Sequence, residues 1–339
     1  MRIGILLINV GSPEAPTAKA LRPYLKQFLG DPRILDMPRF PRWLLLNTVI
    51  LPFRPKHSAH AYSQIWTPEG SPLLVHTQKM VSKLSQNLGD NYRVEMAMGV
   101  GNPSISDTLA KMLEESLTEL IVLPLFPQYA SATSGSVIEA LFHALSKLAN
   151  IPPLRILGPF FQDPGFLEAM AESGTQILSS FRPDHILFSY HGLPERQILK
   201  AQTTPGHCLS PKDACCAQYG PQNTFCYRAQ CFTTTRLLAE KLKLAPGMFS
   251  QSFQSRLGRI SWIRPYTDEV LVSLAQKGKK RLAVFVPSFV ADCLETLEGI
   301  GMRGKETFQK AGGEELQLIP CPNSSDTWIS AMAKWVQMK

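Results

Sequence analysis

His191 stands just past an apolar run, in FSYHGLP (188–194), where Gly192 and Pro194 stiffen the backbone behind it. An imidazole there can take up a proton near neutral pH or hold a metal ion; the bland alternative is a structural histidine bonded to a neighbouring carbonyl. Asp292, Glu295 and Glu298 recur at intervals of three in DCLETLE (292–298), so a helix would set the carboxylates along one face. Acids at a helix start also suit its macrodipole, a purely structural role. One His facing two or three carboxylates has the donors for a hard or borderline divalent cation and the bases for proton transfer.

A second cluster is made of thiols. Five of the seven cysteines fall in the pattern Cys208-x6-Cys215-Cys216-x9-Cys226-x4-Cys231. In a cytoplasmic protein such clustering argues for metal rather than disulfides. Pro205, Gly206, Pro211, Gly220 and Pro221 make the segment a loop with little apolar content, so a metal centre would supply stability that packing does not. Five thiols exceed the four taken by a [2Fe–2S] cluster or a structural zinc site. Cys208, one of Cys215 or Cys216, Cys226 and Cys231 form one set of four, and the adjacent pair ligating together gives another. Cys293 and Cys321 read as buried small apolar residues.

The elements that must position these groups alternate regularly. Short Ile-, Val- and Leu-rich runs predict strands at 3–9, 93–97, 119–123, 185–190, 248–252, 281–286 and 316–319. Amphipathic stretches between them predict helices at 17–29, 72–87, 104–115, 134–148, 164–179, 233–243, 267–277, 291–310 and 326–337. Strands apolar on both faces and separated by helices indicate parallel sheets covered on both sides. ILLINVGSP (5–13) aligns without gaps on ILFSYHGLP (186–194), and 120–126 resembles 282–289 more weakly, which points to two related Rossmann-like halves. In such folds ligands bind beyond the carboxyl ends of the strands. Those ends carry 9–13, 124–135, 190–194, 253–259 and 287–295, the richest polar segments of the chain, which should converge on a cleft between the halves.

With 339 residues, 44% hydrophobic and 18% charged, the chain is long and apolar enough for two ordinary domains and is not disordered. The formal net charge of +8 fits a nucleic-acid binder, a membrane-surface protein or an enzyme for a polyanionic substrate. The basic residues are scattered rather than interleaved with aromatics, which disfavours nucleic acid. No GxGxxG follows the first strand and no Walker A motif occurs. The apolar run 3–8 is too short for a signal peptide, and nothing approaches the roughly 20 apolar residues of a spanning helix. A cytoplasmic location is therefore expected. Residues 39–56 join an apolar block to Arg39, Arg42, Arg54 and Lys56, a composition that suits either a peripheral membrane contact on the inner face of the membrane or a core helix with solvated flanks.

The chain resembles the ferrochelatases, which insert Fe(II) into a porphyrin to make haem. The resemblance runs nearly the whole length, through LINVGSP (7–13), GSP (70–72), PLFPQYASATSG (124–135), FSYHGLP (188–194), FQSRLG (253–258), Trp262, PYTDE (265–269) and DCLETL (292–297). Several motifs in the right order are far more specific than any one alone. It implies an α/β chelatase-like fold of two Rossmann-like domains with parallel sheets flanked by helices and a porphyrin cleft between them. The domains would be 1–152, with a C-terminal helix at 324–339 packing back on it, and 153–323, containing the cysteine-rich insert 205–231.

The resemblance puts the active-site His on His191 and the active-site Glu on Glu295, as proton acceptor or iron ligand and its partner. Tyr129, Ser131 and Trp262 would lie near the macrocycle, and residues 39–56 on the lip of its pocket. The substrates would be Fe(II) and protoporphyrin IX. Coproporphyrin or another tetrapyrrole and metal is the alternative, and a non-catalytic carrier is disfavoured by His191 and Glu295 together. Metallation must remove two pyrrole protons while a desolvated cation enters, work suited to a His and nearby carboxylates. Some members hold a [2Fe–2S] cluster, so the insert is expected to carry one, with zinc or free thiols as alternatives. The protein would be a monomer or a homodimer. The chain departs from many relatives at Gly99-Val100, where they have Arg-Tyr, and at Gly299, where they have a carboxylate. The acid row is thereby shortened to Asp292, Glu295 and Glu298, with Glu298 expected to carry proton or metal traffic.

Overall fold

The computed structural model describes residues 2–209, 211–258 and 260–338. Among them are eight strands: β1 (Arg2–Gly11), β2 (Tyr92–Val100), β3 (Leu117–Pro124), β4 (Leu154–Ile156), β5 (His185–His191), β6 (Phe249–Gln254), β7 (Arg281–Phe285) and β8 (Glu315–Leu318). They form two four-stranded sheets, ordered β2-β1-β3-β4 and β6-β5-β7-β8. Every pairing is parallel. The chain divides into two compact units, Met1–Phe126 with Ser131–Pro159 and Asn323–Lys339, and Pro127–Ala130 with Phe160–Pro322.

In the first unit Ile5, Leu6, Leu7 and Ile8 of β1 are fully buried, as a strand covered on both faces must be. Leu6, Ile8, Ala97, Leu120 and Val122 pack with Ile105, Leu109, Val137 and Leu141 from helices Ile105–Met112 and Ser136–Leu145. Helix Ala18–Gly30 starts where the Thr17 side chain accepts from the Ala20 amide, one of the orphan N–H groups of its first turn. Helix Asp326–Gln337 is capped by Ser325 in the same way and joined to helix Pro72–Leu88 by a Lys83–Asp326 ion pair of 2.7 Å.

In the second unit Leu187, Leu282, Val284 and Leu316 of the sheet pack with Leu271, Leu274 and Phe308 from helices Thr267–Gln276 and Lys305–Lys310. Helix Pro164–Phe181 is capped by Asp163, whose carboxylate accepts from the Gly165 and Phe166 amides. The segments that aligned in sequence hold equivalent places: 5–13 runs along β1 and 186–194 along β5, each second in its sheet, while 120–126 and 282–289 run along β3 and β7. The carboxyl-end segment 253–259 is described up to Gly258; Arg259 lies outside the described residues.

Several elements depart from the expectation. Strand β4 has only three residues after Pro152 and Pro153, too few for an alternation signal. Residues 39–65 are helical almost throughout, as Arg39–Leu45, a π-helical Leu46–Ile50 and Leu51–Ile65. The helix expected from 233 begins six residues earlier, as Tyr227–Lys241. The single helix expected at 291–310 is three pieces: Leu294–Thr296, a π-helical Leu297–Gly304 and Lys305–Lys310. Gly299, Gly301 and Gly304 lie in the π-helical piece.

Candidate active site

His191 ends β5, half-buried, where the strand order reverses between β5 and β7. The β5–β7 ladder stops at Phe188 opposite Phe285, whereas β5–β6 pairing continues to His191 opposite Gln254. The carboxyl ends of two strands that part at a switch point are the usual ligand position in such sheets. The His191 Nδ1 lies 2.7 Å from the Gly192 carbonyl oxygen. A carbonyl only accepts, so Nδ1 carries the hydrogen, and in the neutral ring Nε2 is left with the lone pair.

The backbone behind the ring is tightly defined. The His191 amide donates to Ser288 Oγ at 3.1 Å, and the Tyr227 hydroxyl donates to the His191 carbonyl at 2.8 Å. Gly192 donates to the Gln254 carbonyl at 2.8 Å, and a Cβ on Gly192 would lie 2.8 Å from that oxygen and 3.3 Å from the Trp262 ring. Only glycine fits so close an approach. Trp262 is buried against this turn, bridges Pro194 and donates its indole N–H to the Leu257 carbonyl at 3.0 Å. The Phe289 ring meets the imidazole edge-on with centroids 6.4 Å apart.

The carboxylates follow β7, the strand beside β5. Glu295 lies in the short helix Leu294–Thr296, half-buried, with the Cys293 thiol as a hydrogen-bonded neighbour; burial first, and then the Glu295 charge, push that thiol's pKa up. Asp292 is buried and committed to structure, accepting from the Thr296 hydroxyl at 3.3 Å and the Cys321 amide at 3.2 Å. Burial and then Asp292 likewise raise the Cys321 pKa, so Cys293 and Cys321 stay neutral thiols. Glu298 is ion-paired with Arg303 at 3.3 Å within the π-helical segment.

Tyr129 belongs to the second unit; its amide is held by Gln230 Oε1 at 2.7 Å and its ring packs edge-on to Phe225 at 6.0 Å. Ser131 belongs to the first unit, where Arg33 donates to its hydroxyl at 2.9 Å. The structure thus brings His191 and Trp262 to one turn and sets Glu295 beyond the neighbouring strand. The two residues that hold His191 by its backbone, Tyr227 and Ser288, had no motif to mark them. The nearest signal was Tyr227 directly following Cys226.

All five thiols of the insert are buried. Cys215 and Cys216 have sulfurs 3.8 Å apart, and the Cys226 thiol is hydrogen-bonded to those of Cys208 and Cys216. Contact with Cys226 and then burial push the Cys216 thiol up, against the pull of Arg228, which donates to its sulfur at 3.3 Å. Cys231 is fully buried beside Tyr227, and burial raises its pKa too. Among the described residues no three or more His, Cys, Asp or Glu side chains converge as a closed set of metal ligands, so the thiols are pairwise neighbours without a shared centre.

Two parallel sheets of equal strand order, with a His at the switch point of one, define a chelatase-type fold. A solved structure titled "SirB from Bacillus subtilis with Fe3+" superposes with a TM-score of 0.56 at 11% identity, covering 99% of this chain and 95% of that one. The family profile for Ferrochelatase matches residues 2–339. A ferrochelatase of Coxiella burnetii (strain CbuG_Q212) is 45% identical over 333 residues, 98% of this chain and 92% of that one. A ferrochelatase of Legionella pneumophila (strain Paris) is 45% identical over 334 residues, 98% of each chain. The chain belongs to the ferrochelatase family, the enzymes that insert iron into porphyrin in haem synthesis.

Proposed function

We propose that this chain inserts Fe(II) into protoporphyrin IX, releasing two protons, with His191 as the proton acceptor or iron contact and Glu295 as its partner. The observation that carries the reading is the imidazole held at the β5 strand end with Nδ1 tied to the Gly192 carbonyl, which leaves Nε2 as the free base. A base fixed by its backbone and one ring nitrogen costs little reorganisation when the pyrrole proton moves. Glu295, beyond the adjoining strand, can neutralise the incoming cation or pass a proton on. Tyr129, Ser131 and Trp262 are read as porphyrin contacts, and Glu298 as an outer step of the proton or metal path. The two compact units are read as two domains, 1–152 with 324–339 and 153–323.

His191→Ala should lower Fe(II) insertion at least about 1000-fold while porphyrin binding, followed by fluorescence quenching, changes little. Retained turnover would overturn the assignment. Glu295→Gln should fall with it, and Glu298→Gln at wild-type turnover takes Glu298 off the path. Running the assay in parallel with coproporphyrin, and with cobalt in place of iron, decides between the protohaem reading and its neighbours.

The insert is read as the site of a [2Fe–2S] cluster. What supports the reading is the chemistry of the segment: Cys208, Cys215, Cys216, Cys226 and Cys231 are five buried free thiols within 24 residues, with Cys215 and Cys216 sulfurs 3.8 Å apart and Cys226 hydrogen-bonded to Cys208 and Cys216, as pairs rather than a closed set of ligands. Buried neutral thiols gain little from one another, whereas a cation replaces their protons with strong bonds. When bound, such a cluster cross-links the loop and supplies one-electron redox chemistry. Zinc is the competing occupant, told apart by metal analysis and visible absorption.

A further inference from the structure

In a strand, the N–H and C=O of one residue point to the same side and those of the next residue to the other. Gly192 donates towards β6, so His191 presents both its backbone groups towards β7. There the ladder has already ended, three residues earlier, at Phe188 opposite Phe285. Two side chains take the place of the missing strand. Ser288 Oγ accepts from the His191 amide at 3.1 Å, and the Tyr227 hydroxyl lies 2.8 Å from the His191 carbonyl and 2.9 Å from Ser288 Oγ. A phenol carries its proton near neutral pH. A carbonyl can only accept, which fixes every proton in the ring. Tyr227 donates to the His191 carbonyl, Ser288 donates to the Tyr227 oxygen, and the His191 amide donates to Ser288. The Cys231 thiol is a further hydrogen-bonded neighbour of the Tyr227 hydroxyl.

Ser288 is supplied by the segment after β7. Tyr227 is supplied by the cysteine insert: it is the first residue of helix Tyr227–Lys241, and Cys226 is the N-cap. The next residue, Arg228, is buried and bound to Cys216 Sγ at 3.3 Å and to the Arg264 carbonyl at 3.1 Å. Gln230, one residue short of a full turn further on, donates to the Thr224 carbonyl at 2.9 Å inside the insert. The place of the phenol is therefore set by the packing of the insert.

We propose that Tyr227 is a positioning residue for His191, and that through it the cysteine insert is mechanically tied to the geometry of the imidazole. The proposal rests on the reading of His191 as the proton acceptor or iron contact. Tyr227→Phe removes one hydroxyl and keeps the ring, leaving the His191 carbonyl without its donor and the Ser288 hydroxyl without its acceptor, while the His191 amide still donates to Ser288. In steady-state Fe(II) insertion its kcat should fall about tenfold while KM for the porphyrin stays within about twofold, because the lost contact acts on the reacting geometry rather than on binding. Ser288→Ala should do the same, and the double variant should be little worse than either single one, since the three groups act as one ring. Iron content per chain should stay at the wild-type value in all three.

A wild-type kcat for Tyr227→Phe overturns the proposal. So does a fall in which KM rises in step with the loss of kcat, or one that follows a loss of bound iron. If Tyr227→Phe does not fold, Ser288→Ala decides, since it leaves the aromatic packing in place. If His191→Ala retains turnover, the reading beneath the proposal has failed. If His191→Ala is inactive and Tyr227→Phe is normal, only the positioning role is lost.

Discussion

The two histidines of β5 show how six residues of separation change what an imidazole can do. His191, at the carboxyl end, is half-buried and has Nδ1 tied to a carbonyl. His185, at the amino end, is buried with Nε2 at 2.8 Å from the Ser250 hydroxyl. Burial first, and then the charges of Lys279 and Lys277, lower its pKa from 6.5 to about 4. The folded state therefore refuses a proton that the unfolded chain accepts between those two values. Its contribution to stability is complete above pH 6.5 and is lost as the pH falls towards about 4. Allowing for partial screening by solvent, the loss is about 1–2 kcal/mol. Thermal melts across that range should show a steeper fall of Tm in the wild type than in His185→Gln, which cannot titrate. Parallel curves for the two proteins would show that another group sets the acid limb.

At the scale of elements, the insert buries all five of its thiols and packs Tyr219 and Phe225 edge-on against Phe161 and Tyr129. Four of its thiols are linked in the order Cys215, Cys216, Cys226, Cys208, whereas Cys231 lies one helical turn along, beside Tyr227. On the proposed cluster reading, Cys208→Ser and Cys226→Ser should each lose bound iron and lower Tm by about 5 °C or more, as should stripping the metal with a chelator; colourless, iron-free wild-type protein overturns that reading. Cys231→Ser decides between the two sets of four: iron lost there and kept in Cys215→Ser or Cys216→Ser selects the set with Cys231, and iron kept there selects the set with the adjacent pair. The thiol spacing was legible in sequence, but the choice among five was not, because it depends on where the helix begins. Thr233–Thr235 break the apolar periodicity of its first turns, and all three are buried there through hydroxyl bonds rather than apolar contact. For the same reason Tyr227 and Ser288 were invisible: their roles come from a ladder that stops three residues short of His191. His191 itself was legible because an apolar run ending in His-Gly puts the ring at a strand's carboxyl end whatever surrounds it. The split of the 291–310 helix was not, since a local π-helical turn leaves the amphipathic spacing of the segment helical.

At the scale of the whole molecule, the strand order is the same in both sheets, so the sequence repeat marks one architecture used twice. The copies differ in what they add. The second carries the His and the thiols; the first carries helical residues 39–65, where Phe40, Trp43 and Phe53 are 70%, 58% and 68% exposed. No helix among the described residues is long and apolar enough to cross a membrane. Three large aromatics left in water on one short segment are costly unless something covers them, and single exposed apolar residues elsewhere need no such account. Arg39 and Arg42 line the same hollow as Phe40 and Trp43, so the surface pairs apolar insertion with positive charge. That combination suits an anionic lipid interface, each basic residue adding about 1 kcal/mol near the headgroups. The net charge of +8 favours approach to the same surface. The protein should float with phosphatidylglycerol-containing vesicles at low salt, bind less to purely zwitterionic ones, and be partly released as salt rises. Phe40→Ser with Trp43→Ser and Phe53→Ser should abolish flotation at unchanged Tm, because these side chains contribute little to the core. Equal flotation of the triple variant, or none by the wild type, would assign the patch to the porphyrin instead, and a raised KM for porphyrin in the same variant would establish that role.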